Sequence, residues 1–427
     1  MCLQFIVAEM IDDMKQHILF FVAVSVCVAA LTSCNNRISP DKSKDNIHIP
    51  IELTKAESEV ANKANVFAFD VYRALYEDGQ MLVSPLSLSL ALSMTACGAN
   101  GITAEQMAAV LGFEDYSVED IAGYYKTMVK SLAVMDKTTT FECANSVWVD
   151  NGFPVRKDFL ATVKDLFAAE AKNAPFSDPA TLDAVNGWCS EKTHGKIENM
   201  LSELDHDTVM LLINALYFNG KWGFKFNEKT NKEKFASISG ESVNVDMMSA
   251  FKDMRYTSVN GWSMVELPYG NGSFQMDVIL PPAGMPFGQA AASLDYNLFR
   301  LLQECLTLYT VNLRMPEFKF DYSVSGLKDA LIALGMDNAF DPSADFSKMA
   351  DVVPGDAFYI GDVKQKAFID VNTKGTEAAA VTVVEMKYNS SVPPEPKTVD
   401  FVADRPFFFV IREKSTGSIL FIGQKVE

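Results

Sequence analysis

The sequence predicts a fold of the α+β class, in which helices come first along the chain and strands dominate later. Apolar residues recur at helical intervals between Val60 and Leu75. After Phe141 the apolar runs become short, rich in β-branched and aromatic residues, and separated by turn sequences such as Tyr269-Gly270-Asn271-Gly272. Helices segregated from strands in this way are typical of α+β domains and not of alternating α/β domains.

Capping and stop signals predict where the helices lie. The first helix follows the capping-box pair Thr54 and Glu57, and the second follows Ser84-Pro85 and ends near Gly98. A third helix is predicted by the capping-box spacing of Thr103 and Gln106 and ends at Gly112. A later helix is predicted by the apolar run Leu327 to Leu334 and ends at Gly335.

Four later segments have the composition of buried strands. They are Phe141 to Val149, Val209 to Phe218, Met264 to Leu267 and Phe274 to Leu280. No internal repeat and no linker rich in Pro, Gly or Ser interrupts the body of the chain, so one large domain is expected despite the 427 residues.

Charge and motif content argue against several function classes. The formal net charge of -18 disfavours binding to nucleic acid. The sequence has no G-x-S-x-G elbow, H-E-x-x-H pair, P-loop or dinucleotide fingerprint, and His48, His194 and His206 lie in polar stretches. We therefore expect no catalytic residue, no cofactor and no metal site, although a triad assembled from distant positions would leave no such pattern.

The N-terminus has the features of a lipoprotein signal. Lys15 precedes the apolar run Ile18 to Leu31, which is short for a membrane span and closes on Leu31-Thr32-Ser33-Cys34. We expect residues 1–33 to be the signal, with Met14 as an alternative start, and residues 34–58 to be the lipidated Cys34 and a polar tether. The expected location is the bacterial cell envelope, on the periplasmic or the outer face. An ordinary secretory signal is the other interpretation.

Four further cysteines follow Cys34 without any CxxC pair, so neither a zinc site nor a disulfide scaffold is predicted. Buried free thiols are expected at Cys97, Cys143, Cys189 and Cys305.

The segment Thr376 to Lys387 alternates in a way that predicts a strand with one buried face. Every charged residue of this segment lies on one face. The other face carries Thr376, Ala378, Ala380, Thr382, Val384 and Met386, which are uncharged and begin with small residues. A polar, proline-closed stretch, Tyr388 to Pro394, follows as an exposed loop would. A permanent strand and turn would give the same pattern.

At this segment the chain resembles the serpins. Lys374-Gly375-Thr376-Glu377-Ala378-Ala379-Ala380 resembles the hinge of inhibitory members, and Phe401 to Ile411 resembles the C-terminal signature of the family. Further resemblances occur in family order along nearly the whole chain after the tether. They lie at Val83 to Ser89, Ile213 to Trp222, Val265 to Tyr269, Met315 to Phe318 and Phe421-Ile422-Gly423.

The resemblance implies a serpin fold over residues 59–427. This is a single domain with three β-sheets, eight or nine helices and an exposed reactive-centre loop at about 373–395. It also implies a suicide inhibitor of serine proteases, with cysteine proteases as a further class. The cleaved loop would insert into the main sheet while the protease is still attached as an acyl-enzyme.

Site residues follow from the same resemblance. The hinge would be Gly375, Thr376, Glu377, Ala378, Ala379 and Ala380, and the shutter and breach would include Ser84, Ser87, Asn214, Gln365 and Trp222. Two departures stand out. Thr373 occupies a position where glutamate is common, which puts a hinge salt bridge in doubt, and Gln365 replaces the shutter histidine.

The scissile bond is left open. Counting from the hinge indicates Asn389, and counting back from the prolines indicates Ser390. Tyr388 suits a chymotrypsin-like pocket, Lys387 a trypsin-like one and Met386 an elastase- or subtilisin-like one, and Tyr388 is the favoured choice.

Expected partners are such proteases and, through the lipid anchor only, a membrane; a monomer is expected. The alternatives are a non-inhibitory serpin acting as a carrier, and an unrelated lipoprotein hydrolase. Glycosaminoglycan activation is disfavoured because Lys126, Lys130 and Lys137 are sparse in an acidic chain.

Overall fold

The computed structural model describes residues 46–167, 169–204, 208–353, 356–375 and 396–427, which contain nine α-helices and fourteen strands. The helices are α1 (Lys55–Ala74), α2 (Pro85–Ala96), α3 (Gly101–Leu111), α4 (Val118–Leu132), α5 (Lys157–Phe167), α6 (Pro179–Lys192), α7 (Phe287–Ser293), α8 (Tyr296–Glu304) and α9 (Leu327–Ala333). The strands are β1 (Met81–Val83), β2 (Thr139–Asp150), β3 (Glu170–Ala174), β4 (Met210–Gly220), β5 (Asn231–Ala236), β6 (Ser242–Val259), β7 (Trp262–Tyr269), β8 (Phe274–Leu280), β9 (Thr307–Pro316), β10 (Phe318–Val324), β11 (Asp362–Val371), β12 (Thr398–Val402), β13 (Phe407–Glu413) and β14 (Ile419–Lys425).

Most predicted helix boundaries are confirmed. The Thr54 and Glu57 capping box is present at the start of α1, and Gly112 ends α3 in the left-handed conformation. The second predicted capping box is wrong, because α3 already begins at Gly101. Thr103 lies inside the helix and bonds across to Asn338 instead.

The strands form two hydrogen-bonded sheets within the described residues. A five-stranded sheet has the order β10-β11-β4-β2-β3, in which β4 pairs with β11 and β2 with β3 in parallel. A nine-stranded sheet has the order β1-β14-β13-β8-β7-β6-β9-β12, with β5 also on β6. The mixed α+β class is therefore confirmed. The prediction is three sheets. That number is obtained only if the nine-stranded sheet is counted as two sheets that share β6, because β5 pairs with the start of β6 and β7 pairs with its end.

Helix α2 is the centre of the core. Its residues from Pro85 to Thr95 are all buried, as expected for a helix that is apolar on every side. It packs against β2, β4 and β14, and this places Ser84 and Ser87 behind the five-stranded sheet.

The four cysteines are free thiols, but the prediction that all are buried is wrong. Cys189 is buried, Cys97 and Cys143 are half-buried, and Cys305 is exposed at the end of α8. Among the described residues, no helix combines the length and apolar character needed to cross a membrane.

Candidate functional site

A tight turn after β11 brings Gly375 against the end of β4. Asn372 and Gly375 form an antiparallel bridge with N–H to O=C distances of 3.1 and 3.2 Å, so the two residues between them make the turn. Gly375 has a φ of 110°, and a Cβ added there would lie 2.5 Å from the Gly220 carbonyl oxygen and 2.5 Å from Lys221 Cα. Only glycine fits this backbone and this close approach.

Two side chains bind the turn of residues 372–375, which is here called the hinge turn. The Trp222 indole Nε1 donates to the Asn372 carbonyl at 2.8 Å, and the indole stacks on Tyr269 with ring centroids 4.4 Å apart. Thr373 supplies no carboxylate for a salt bridge. Its backbone N–H instead donates to Glu317 Oε1 at 3.1 Å, so a carboxylate from the neighbouring strand region binds the turn.

The neighbouring strands β4 and β11 are hydrogen-bonded to each other over only part of their length. Their parallel pairing comprises six residue pairs, from Asp362 opposite Leu211 to Ala367 opposite Leu216. Both strands are described throughout, and β11 runs four residues further to Val371. The hinge turn therefore lies at the end of the sheet where β4 and β11 are no longer paired with each other.

The buried side-chain amide of Gln365 links β4 and β11 on the side of the sheet that faces α2. Gln365 Oε1 accepts from Ser84 N at 2.8 Å, and Gln365 Nε2 donates to Ser84 O at 2.9 Å and to Asn214 Oδ1 at 2.6 Å. All three residues are at most 2% exposed. Gln365 thus joins β11 to β4 and to the start of α2 through its side-chain amide.

The same network extends to β2. Asn214 Nδ2 donates to Ser87 Oγ and to Asn145 Oδ1, and Ser87 Oγ donates to Asn145 Oδ1 at 3.1 Å. The Cys143 thiol lies 3.0 Å from Ser87 Oγ. Burial raises the pKa of the Cys143 thiol to about 11, although hydrogen bonds with Ser87 and Asn145 lower it in part, so the thiol is a protonated donor at neutral pH.

A model of one family matches residues 62–427, and its description is serpin, or serine protease inhibitor. The chain belongs to the serpin family. An uncharacterized serpin-like protein of Thermococcus kodakarensis is 33% identical over 373 residues, covering 86% of this chain and 85% of that relative. Glia-derived nexin of Rattus norvegicus is 30% identical and covers 96% of this chain and 99% of its own.

Solved serpin structures match the fold. The thermophilic serpin tengpin in its native state is 31% identical, has a TM-score of 0.79, and is matched over 90% of this chain and 98% of its own. Human thyroxine-binding globulin complexed with thyroxine is 25% identical with a TM-score of 0.77.

Several predicted site residues lie outside the described part of this serpin. They are the scissile-bond candidates Met386, Lys387, Tyr388, Asn389 and Ser390, the hinge residues Thr376, Glu377, Ala378, Ala379 and Ala380, and the lipidation site Cys34. His206, for which no site role is predicted, also lies outside it. Of the predicted set, the structure brings Ser84, Ser87, Asn214 and Gln365 into one network and places Gly375 beside Trp222. His194 has a φ of 50° and binds Glu142 on β2 at 2.8 Å.

Three residues of the serpin site were missed from the sequence. Asn145 and Cys143 interrupt the apolar strand β2, and a polar residue inside a buried strand was the available signal. Glu317 stood in a family-like sequence but gave no sign of its contact with Thr373, since the two are 56 residues apart.

Gly375→Ala is expected to destabilise the native form more than Gly284→Ala. Both glycines have a positive φ, but an added Cβ meets open space at Gly284 and backbone atoms at Gly375. Strain alone costs about 1 kcal/mol, and displacement of the hinge turn should add roughly 2 kcal/mol more. Urea unfolding of the two variants measures the difference. Equal losses would show that the hinge turn does not rest on the end of β4.

Proposed function

We propose that this serpin is a suicide inhibitor of serine endopeptidases, with cysteine endopeptidases as a further class, anchored by Cys34 in the bacterial cell envelope. A protease would cleave the loop at about 373–395 and form an acyl-enzyme. The segment from Thr376 onward would then enter the five-stranded sheet between β4 and β11 before the ester is hydrolysed. The protein would be consumed by the reaction and would not act as an enzyme.

The parallel pairing of β4 with β11 is the observation that supports insertion most directly. A chain that turns back at Asn372 and Gly375 runs antiparallel to β11, and therefore antiparallel to β4 as well. Insertion would replace one parallel ladder of six residue pairs by two antiparallel ladders, which are more stable per residue. At about 1 kcal/mol for each added hydrogen bond, the gain is on the order of 10 kcal/mol.

The bridge between Asn372 and Gly375 also sets the register of an inserted strand. Continued along β11, this register pairs the small residues of the loop with residues of β11 that are at most 3% exposed. The pairs would be Thr376 with Val371, Ala378 with Ile369 and Ala380 with Ala367. The sequence alternation and the geometry of the hinge thus favour the same buried face.

Tyr388 is the favoured residue on the N-terminal side of the scissile bond, which would make chymotrypsin-like enzymes the first targets to test. The soluble protein lacking residues 1–34 is incubated with chymotrypsin, trypsin and elastase in turn. Inhibition predicts a band stable in SDS at the summed mass, and the mass of the released C-terminal peptide identifies the bond. Cleavage without any adduct, for each protease, would reject the inhibitory mechanism in favour of a carrier or substrate-like serpin.

A further inference from the structure

The segment before α1 binds the body with its polar side chains and exposes its apolar ones. Asn46 and His48 face the body, and His48 Nδ1 lies 2.8 Å from Ser273 Oγ. Ile47 and Ile49 are 64% and 73% exposed. This is the reverse of the usual arrangement, in which apolar side chains are buried and polar ones face water.

Asn46 binds at the end of the sheet where the hinge turn lies. Its Nδ2 donates to Asp136 Oδ1 at 2.9 Å, and its Oδ1 accepts from Lys137 N at 3.0 Å. These two residues lead directly into Thr139, which pairs with Gly220 at the end of β4. Asn46 therefore lies beside the strand end that Gly375 contacts.

Further contacts fix the direction of this segment. The Asn271 side chain donates to Asn46 Oδ1 at 3.4 Å, and Ile51 N donates to Ser415 Oγ at 2.9 Å. Residues 46–51, here called the strap, are thus bound at three places along their length: at residues 46, 48 and 51. The strap cannot swing freely about α1 while these contacts persist.

A third exposed apolar side chain belongs to the same end of the protein. Val134, in the loop between α4 and β2 to which Asn46 binds, is 77% exposed, and Lys137 in the same loop is also exposed. Ile47, Ile49 and Val134 are thus three strongly exposed apolar side chains on two segments that Asn46 joins by hydrogen bonds.

The length of the linker between Cys34 and the strap limits how far this end can lie from a membrane. Residues 35–45 join Cys34 to the strap and can span at most about 40 Å. Strand β4, with eleven residues, adds roughly 35 Å from the hinge end to the far end of the sheet. A linker of about 40 Å reaches as far as the sheet is long. The linker thus brings the hinge end within reach of the lipid, and the strap would decide which end of the sheet faces it.

We propose that the strap docks the hinge end of the body onto the membrane that anchors Cys34, with Ile47, Ile49 and Val134 at the headgroup boundary. This inference rests on the lipid anchor of the proposed function. It implies that the reactive loop meets proteases within a few tens of ångströms of the membrane surface. Insertion would then carry the bound protease toward the far end of the five-stranded sheet, away from the lipid.

Energy transfer to a bilayer tests this orientation. A hexahistidine tag replaces residues 1–34, Cys305→Ser removes the exposed thiol, and the protein binds neutral phosphatidylcholine vesicles that contain nickel-chelating and rhodamine-labelled lipids. A donor dye is attached at Thr140→Cys or at Asn151→Cys, near the two ends of β2. We expect roughly twofold higher transfer from position 140. The difference should disappear in the Ile47→Ser/Ile49→Ser variant and in the Asn46→Ala/His48→Ala variant.

Equal transfer from the two positions, or higher transfer from position 151, would overturn the docking proposal. So would a dimer in sedimentation that depends on Ile47 and Ile49, because the patch would then be an interface between copies of this chain. The tag substitutes for the lipid, so the orientation is measured whether or not Cys34 is lipidated. Membrane fractionation of Cys34→Ala against the wild type tests the anchor separately.

Discussion

Thr376→Arg is expected to convert the protein from an inhibitor into a substrate of the same protease. The register set by the bridge between Asn372 and Gly375 places residue 376 opposite Val371, whose side chain is 1% exposed. An arginine there would bring an unpaired guanidinium into the core at the first step of insertion. Burial of an unpaired charge costs roughly 3–5 kcal/mol, which delays insertion while hydrolysis of the acyl-enzyme proceeds at its own rate.

The matched control for this substitution is Glu377→Arg. Residue 377 lies on the opposite face of the predicted strand, so the same side chain there remains in solvent after insertion. Denaturing gels with the protease identified for the wild type should show the covalent band for Glu377→Arg and only cleaved protein for Thr376→Arg. A persistent covalent complex with Thr376→Arg, or its loss in both variants, would contradict the predicted burial of residue 376.

The local elements of this fold could be predicted from the sequence because their signals are local. The capping box at Thr54, the stop at Gly112 and the apolar strand ending at Leu280 all lie within a few residues of the boundaries that they define. The misplaced start of α3 has a long-range cause. Thr103 has the spacing of a cap, but its hydroxyl is bound to Asn338, more than 200 residues away.

The candidate site was predicted in part for the same reason. Gly375 and Gln365 could be located by family resemblance, yet the network that joins Gln365 to β2 depends on the pairing of β2 with β4. Asn145 faces Asn214 in that pairing, and nothing in a single sequence states which strands are neighbours. The contact of Glu317 with Thr373 likewise arises only because β10 and β11 are adjacent.

Gln365→Met is expected to lower the free energy of unfolding of the native form by roughly 2–6 kcal/mol. Methionine has a similar volume but leaves Ser84 N and Asn214 Oδ1 without their partner in a buried site, while Ser84 O keeps only its bond from Leu88 N. Each unsatisfied group costs about 1–3 kcal/mol. A form with a strand inserted between β4 and β11 does not need the bond between Gln365 and Asn214. The variant should therefore also lose inhibitory activity faster on warming, by insertion of its uncleaved loop or by polymerisation.

Gln365→His is the matched control, and its expected result is a stability that depends more strongly on pH than that of the wild type. An imidazole can retain part of the network, whereas burial disfavours its charged form and lowers its pKa in the folded state below the usual value of about 6.5. Above about pH 6.5 the histidine is neutral in both the folded and the unfolded state, and the fold keeps its full stability. Below that pH the unfolded state binds a proton that the folded state resists, so the free energy of unfolding falls. Urea unfolding across this range should show a loss at low pH for Gln365→His beyond any change in the wild type, whose amide does not titrate. Identical pH profiles would mean that residue 365 does not close β4 against β11 in solution.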